Sequence, residues 1–325
     1  MIRRQVLQAL ACIALALSVP VVYAQTWSPK GPVHVIVPFD AGSTPDLLAR
    51  VVSERLGSRL GQPLVVENKG GASGNIGTNA IAKSTPDGQT IGVSIAGPLG
   101  VNALLYKKMP YDPSKDLDLI TIAASQPAVL VASSKVSAAK AADLLEQMKK
   151  NPKKFSYSSM GAGTASHLGM EVLGARTGAD LVHVPYRGSV AAVTALMAGD
   201  TDLALLPAGA VMPQIKAGRL KAFAVASEKR SALLPDLPTL AEIGIADLTA
   251  DAWIGFVVPA KTPAPVVQRL HSEITQILMD PAVREKLLAQ YMEPVGNSPS
   301  DFRSTVAADI ARWKPVVEKH RIALD

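Results

Sequence analysis

Two short stretches concentrate the glycines and hydroxyls with which a protein can hold or attack a small molecule. One is Asp40-Ala41-Gly42-Ser43-Thr44, preceded by Phe39. The other is Met160-Gly161-Ala162-Gly163-Thr164, preceded by Ser158 and Ser159. Glycine lets the backbone approach a ligand closely. Where such a loop opens a helix, unpaired N–H groups and about half a positive charge favour a carboxylate or phosphate without any Lys or Arg. One helix terminus contributes only about 0.3–2 kcal/mol for an anion. Two facing one cleft, with the hydroxyls of Ser43, Thr44, Ser158, Ser159 and Thr164, would hold a small acid well. Either loop alone reads equally as a tight strand-to-helix turn. The matched pair, one in each half of the chain, favours a binding site.

Catalytic alternatives are thinner. Ser73 or Ser159 as nucleophile with His167 as base would make a secreted α/β hydrolase, but nothing places a third group to orient the base. GAGTAS (Gly161 to Ser166) is an incomplete dinucleotide fingerprint, and there is no GxxxxGK[ST], HExxH or GxSxG. The five histidines, His34, His167, His183, His271 and His320, lack metal-site spacing. His167 follows the second glycine loop and is the one placed to touch a ligand; the other four read as structural. Cys12 is the single cysteine, so thiol chemistry and disulfides are excluded from a chain that begins after it. No cofactor or metal is expected.

The elements around these loops repeat. Val33 to Phe39 (VHVIVPF) reads as a buried strand, with the first loop after it. Thr44 is placed to N-cap a helix with Pro45 at its first position, and Leu47, Leu48, Val51, Val52, Leu56 and Leu60 continue at helical spacing to Gly61. Leu64 to Val66 is a strand. Gly70 to Gly74 leads into a helix from about Asn75 to Lys83, and Thr90 to Ile95 is a third strand. The middle repeats this order: strand at Lys154 to Ser159, second loop, helix at Thr164 to Ala175, strand at Leu181 to Pro185, Arg187-Gly188, helix at Ser189 to Met197, strand at Leu203 to Leu206. Two such runs predict an α/β protein of two doubly wound βαβ domains with parallel strands. Leu119 to Ala132, broken near Pro127, is a plausible first crossing between them, and Trp253 to Pro259 a return. The expected division is residues 25–124 with 251–325 as one domain and 125–250 as the other, with a ligand cleft between them. The amphipathic tail from Pro263, broken at Pro281 and again from Gly296 to Pro299, reads as packing.

The first residues read as an export signal: Arg3 and Arg4, an apolar run from Val6 to Val22, then Val22-Tyr23-Ala24. Cleavage after Ala24 would release an exported protein of about 300 residues, consistent with two domains. With 48% hydrophobic residues it can build a core without disulfides. Loss of two arginines lowers the formal charge from +6 to +4. Charge this mild, scattered lysines and 4% aromatics exclude a nucleic-acid binder.

Several segments together resemble one family. They are VPFDAGSTPDLLAR (Val37 to Arg50), GGASGNIGTNAIAKSTPDGQTI (Gly70 to Ile91), SSMGAGTASHLGMEVL (Ser158 to Leu173), HVPYRGSVAAVTALMAGDTDLAL (His183 to Leu205) and WIGFVVPAKTPAPVVQRL (Trp253 to Leu270). In this order, over nearly the whole chain after residue 24, they are similar to the Bug-type substrate-binding proteins of tripartite tricarboxylate transporters. The resemblance implies a bilobed periplasmic receptor of the type II, or Venus-flytrap, kind. Such a receptor would be a monomer that captures a mono- or dicarboxylate and hands it to membrane permease subunits; presentation to a sensor kinase is the alternative output. It implies ligand contacts from Phe39, Ala41, Gly42, Ser43 and Thr44, and from Ser158, Gly161, Ala162, Gly163 and Thr164. Asn75, Ser94, His167 and Tyr186 would also face the cleft. The chain departs from the family's usual pattern where Ser43 replaces a second glycine, where Asp40 puts a negative charge beside the loop, and at the apolar Leu205-Leu206-Pro207.

Overall fold

The computed structural model describes residues 27–324, so the expected export signal, the expected cleavage after Ala24 and Cys12 lie outside the described residues. The β-branched run VHVIV forms β1 (Val33–Val37), inner to two parallel neighbours, β2 (Leu64–Asn68) and β3 (Thr90–Ser94). Between β1 and β2 runs α1 (Thr44–Leu60). Its residues Leu48, Val52 and Leu56 are fully buried on one face, and it ends at Gly61 with φ +69°. Burying each of these side chains contributes about 1.5–3 kcal/mol. The N-cap is Ser43 and not Thr44, which is the first helical residue. α2 (Asn75–Ala82) links β2 to β3, and a short α3 (Ala96–Leu99) follows β3.

β4 (Leu117–Gln126) runs straight into β5 (Ala128–Ser133) through Pro127, the expected crossing. After α4 (Ala141–Lys150) the first pattern recurs. β6 (Ser156–Ser159), α5 (Ala165–Thr177), β7 (Val182–Pro185), α6 (Ser189–Ala198) and β8 (Leu203–Pro207) follow, then α7 (Ala208–Lys216) and β9 (Leu220–Val225). The return is β10 (Ala252–Pro259). The tail is α8 (Ala264–Met279), α9 (Pro281–Leu288), the short β11 (Glu293–Pro294) and α10 (Pro299–His320).

Two sheets result, ordered β11-β4-β10-β3-β1-β2 and β7-β6-β8-β5-β9. They are not wholly parallel, as the βαβ pattern predicted. β10 is antiparallel to β3 and β4, and β5 is antiparallel to β8 and β9. Both follow a crossing from the other sheet. A strand arriving from the other lobe enters at the end where the home strands finish, so it runs against them.

α10 joins the two cores. Phe302 packs with Ile81, Trp253 and Val257 on the first sheet, while Trp313 and Val317 pack with Leu168, Leu205 and Leu248 on the second. Gly255 makes room for Phe302, whose ring would lie 2.2 Å from a Cβ there.

Candidate ligand cleft between the two sheets

The carboxyl ends of β1 and β6 face each other, and the two glycine loops sit there. In the first, Gly42 takes φ +77° and its N–H donates to Asp46 Oδ2 at 2.9 Å. Asp46, only 1% exposed, also accepts from Arg50 Nε (3.0 Å) and Asn68 Nδ2 (2.9 Å). Asn68 Nδ2 in turn reaches the Phe39 carbonyl. Burial pushes the Asp46 carboxyl up, but these donors outweigh it and hold its pKa below the usual aspartate value. The Gly42 N–H is therefore occupied within the loop. What remains is Ser43 Oγ: Ser43 is 1% exposed, makes no cap bond with its side chain, and its hydroxyl has no partner among the described residues. Asp40 is exposed, with its carboxylate against Gly70.

In the second loop most N–H groups are also taken. Gly161 N–H donates to Ser159 Oγ (3.2 Å), Gly163 N–H to His167 Nδ1 (3.0 Å), and Thr164 N–H to the Gly161 carbonyl (3.3 Å). Thr164 Oγ1 donates to the Gly161 carbonyl at 2.7 Å and caps α5 by accepting from His167 N–H. Both glycines have positive φ, +129° and +82°. They press on the other lobe: a Cβ on Gly163 would lie 2.5 Å from Leu105 Cδ1, and one on Gly161 would lie 3.0 Å from Ser73 Oγ. Ser73 and Ala72, both at positive φ, form the strained turn on the facing side.

The partner of the Ser43 loop is a different turn. Gly188, at φ +125°, N-caps α6 without a side chain or a nearby acid, and its Cα faces Ser43 Cβ. Ser43, with its unpartnered hydroxyl, and the uncapped first turn of α6 thus line one cavity from opposite sides. From sequence, Arg187-Gly188 reads only as a helix lead-in; a glycine before a helix that lacks a capping side chain is the signal that marks this turn.

The cavity at this meeting point is about 20 Å³, room for about one water. Phe39, Ser43, Thr44 and Pro45 line it from the first lobe with Ile95 and Ile254, and Met160, Gly188, Ser189 and Pro207 from the second, with Ala252 of the crossing strand. A second cavity of about 20 Å³ shares Ile95, Met160 and Ala252 and continues to Trp253, Asp309, Arg312 and Trp313.

Other predicted contacts sit behind these surfaces. Asn75 Oδ1 accepts from Asn102 (2.7 Å) and Tyr111 (3.1 Å); Ser94 is fully buried beside Thr78; Ser158 Oγ donates to the Ala192 carbonyl. Ala41 is exposed and Ala162 half-buried, while Tyr186 packs half-buried on the second lobe's core.

His167 is 4% exposed and stacks on His183 with ring centres 4.0 Å apart; His183 stacks on Tyr157 at 4.8 Å. Burial pushes His167 down to about 3, with the His183 charge adding to it, and burial takes His183 down to about 4, so both are neutral at neutral pH. Tyr157 donates to Glu171 Oε1. Ser159 Oγ lies 2.7 Å from His183 Nε2, so its imidazole partner is His183 and not His167. Ser159 is 0% exposed, and the described residues place no carboxylate on His183. No three His, Cys, Asp or Glu side chains among the described residues converge as a metal site would need.

The profile of the family described as "Tripartite tricarboxylate transporter family receptor" matches residues 48–322. The chain belongs to the tripartite tricarboxylate transporter receptor family. Protein BugT of Bordetella pertussis is 36% identical to this receptor over 294 residues, 90% of each chain. The solved structure of R. palustris Rpa4515 with adipate superposes with a TM-score of 0.88 at 33% identity, covering 91% of this receptor and 99% of that chain. That of MatC from Rhodopseudomonas palustris with bound malate gives 0.83 at 28%, covering 89% and 99%. The receptor thus has the two-lobed fold of periplasmic binding proteins, and no helix among its described residues is long and apolar enough to cross a membrane.

Proposed function

We propose that this receptor closes on a small carboxylate between Ser43 and the α6 N-terminus and delivers it to the membrane permease subunits of a tripartite tricarboxylate transporter. The lobes are residues 25–124 with 251–325, and residues 125–250. The protein acts as a monomer in the periplasm after cleavage at Ala24. The carrying observation is the buried Ser43 hydroxyl, without a partner, set against the uncapped α6. A buried hydroxyl left unpaired costs about 1–3 kcal/mol, which a ligand oxygen recovers, and the helix end adds its partial positive charge. The adipate and malate bound by Rpa4515 and MatC support an acid as ligand.

On this reading Phe39, Ala41, Gly42, Ser43 and Thr44 frame one side of the ligand. The loop from Gly161 through Ala162 and Gly163 to Thr164 closes against the other lobe. Tyr186 borders the α6 turn. Asn75, Ser94, Ser158 and His167 act from behind, by fixing these loops. The test is calorimetric titration of residues 25–325 with small carboxylates and their amides. Saturable binding of an acid, with its amide at least tenfold weaker, is expected; a folded protein that binds no acid would refute the reading.

A further inference from the structure

We infer that the cleft selects a singly charged acid with an apolar body over dicarboxylates and hydroxy acids. This rests on the carboxylate-receptor reading and names its substrate class.

The polar side chains that line the first cavity are the hydroxyls of Ser43, Thr44 and Ser189. Its other lining residues are Phe39, Pro45, Ile95, Met160, Gly188, Pro207, Ala252 and Ile254, with no charged or amide side chain among them. Three of the glycine N–H groups that could serve a second carboxylate are already used. Gly161 and Gly163 N–H bond to Ser159 and His167, and Gly42 N–H bonds to Asp46. A ligand hydroxyl or second charge would therefore exchange water for apolar wall, which is costly without a partner.

The direction beyond Ile95 and Met160 points the same way. The adjoining cavity offers Trp253 and Trp313, suited to an aliphatic or aromatic body. Its charged groups are Asp251, Asp309 and Arg312, and Arg312 lies 3.4 Å from Asp309. Arg312 is already paired with Asp309, which also accepts from Trp253 Nε1 at 2.7 Å, so that end offers no free cation to a distal carboxylate. The two cavities thus combine hydroxyls at Ser43, Thr44 and Ser189 with apolar walls and no unpaired cation.

The experiment titrates residues 25–325 with hexanoate, benzoate, adipate, malate and 6-aminohexanoate. Hexanoate or benzoate should bind at least tenfold tighter than adipate, malate or the amino acid. If one of those three binds as tightly, the inference falls while the receptor reading stands; if no acid binds, both fall. Met160→Lys, checked for folding by its melting curve, should bring adipate to within a few-fold of hexanoate. An unchanged preference in that folded variant would also overturn the inference, because it would remove Met160 from the ligand's path.

Discussion

Asp46 Oδ2 receives the N–H of Gly42 at 2.9 Å, four residues back along the chain, while Arg50 Nε, four residues ahead, reaches the same oxygen at 3.0 Å. One buried carboxylate therefore sets the curvature of the loop that ends in Ser43. Its folded pKa lies below the ordinary aspartate value. Its contribution is thus fully present above the unfolded value of about 3.9 and is lost as pH falls through and below it. Asp46→Asn should lower stability by about 1–3 kcal/mol at pH 7, mostly through the buried donors, since Arg50 is half exposed and its pairing is screened. The gap in urea midpoints between wild type and variant should narrow as pH falls from 7 to 3.5; a gap undiminished in acid would show that the carboxylate's charge is not what matters.

Removing the Ser43 hydroxyl should separate binding from stability. Ser43→Ala deletes a buried oxygen that has no partner within the protein, so the melting temperature should stay level or rise. Affinity for the acid should fall about tenfold, the usual worth of a hydrogen bond to a charged group. A large drop in melting temperature would mean that the hydroxyl serves the fold instead.

The histidine stack makes the second lobe acid-sensitive. The unfolded imidazoles titrate near 6.5, whereas His167 and His183 resist protonation down to about 3 and about 4. Folded pKa values below the unfolded ones mean that stability is unaffected above pH 6.5 and is lost as pH falls toward 4. For His167 the loss between pH 7 and pH 5 is roughly 2 kcal/mol. His183→Phe keeps an aromatic ring between Tyr157 and His167 and should flatten the dependence of unfolding free energy on pH over this range. An undiminished slope would mean that His183 is already protonated when folded.

Two glycines of similar φ should behave differently on substitution. Gly178, at φ +71°, has nothing within 4 Å of an added Cβ. Gly178→Ala should cost only the left-handed strain, about 1–2 kcal/mol, with ligand affinity unchanged. Gly163, at φ +82°, would drive its Cβ to within 2.6 Å of Leu105 and Asn102 across the lobe boundary. Gly163→Ala should pay the same strain and also keep the lobes apart, seen as a larger radius of gyration by solution scattering at saturating ligand and at least tenfold weaker binding. Equal affinity in both variants would show that closure does not pass through this contact.

The parts of the fold that depend on local chemistry were legible in the sequence. VHVIV reads as a strand from its β-branched residues, Gly61 and Pro127 mark a helix end and a crossing, and the βαβ order recurs around Gly42 and Gly161. Strand direction was not legible at β5 and β10, because it depends on which lobe the preceding chain leaves. The N-cap moved one residue, to Ser43, because proline is tolerated at the second helical position as well as the first. At the site, the Asp46–Arg50 spacing was visible as an (i, i+4) pair. That Asp46 would occupy the Gly42 N–H was not, because loop curvature decides it. Likewise Ser159 meets His183 rather than the nearer His167 because β6 and β7 pair in register, setting Tyr157 opposite His183, a relationship made only by the sheet.

The helix α10, with Phe302 in one core and Trp313 in the other, has a consequence for the order in which the chain can mature. Synthesis delivers the N-terminus first, yet the first sheet lacks an inner strand until residue 259 has emerged. The second core lacks its cover until residue 317 has followed. A chain stopped at residue 298 therefore leaves apolar surface open on both cores, although every strand of the second sheet is already made. Completion of the first sheet depends on contacts far apart in sequence, which are slow to form. The two halves can reach their final alignment only once α10, which enters both cores, is in place.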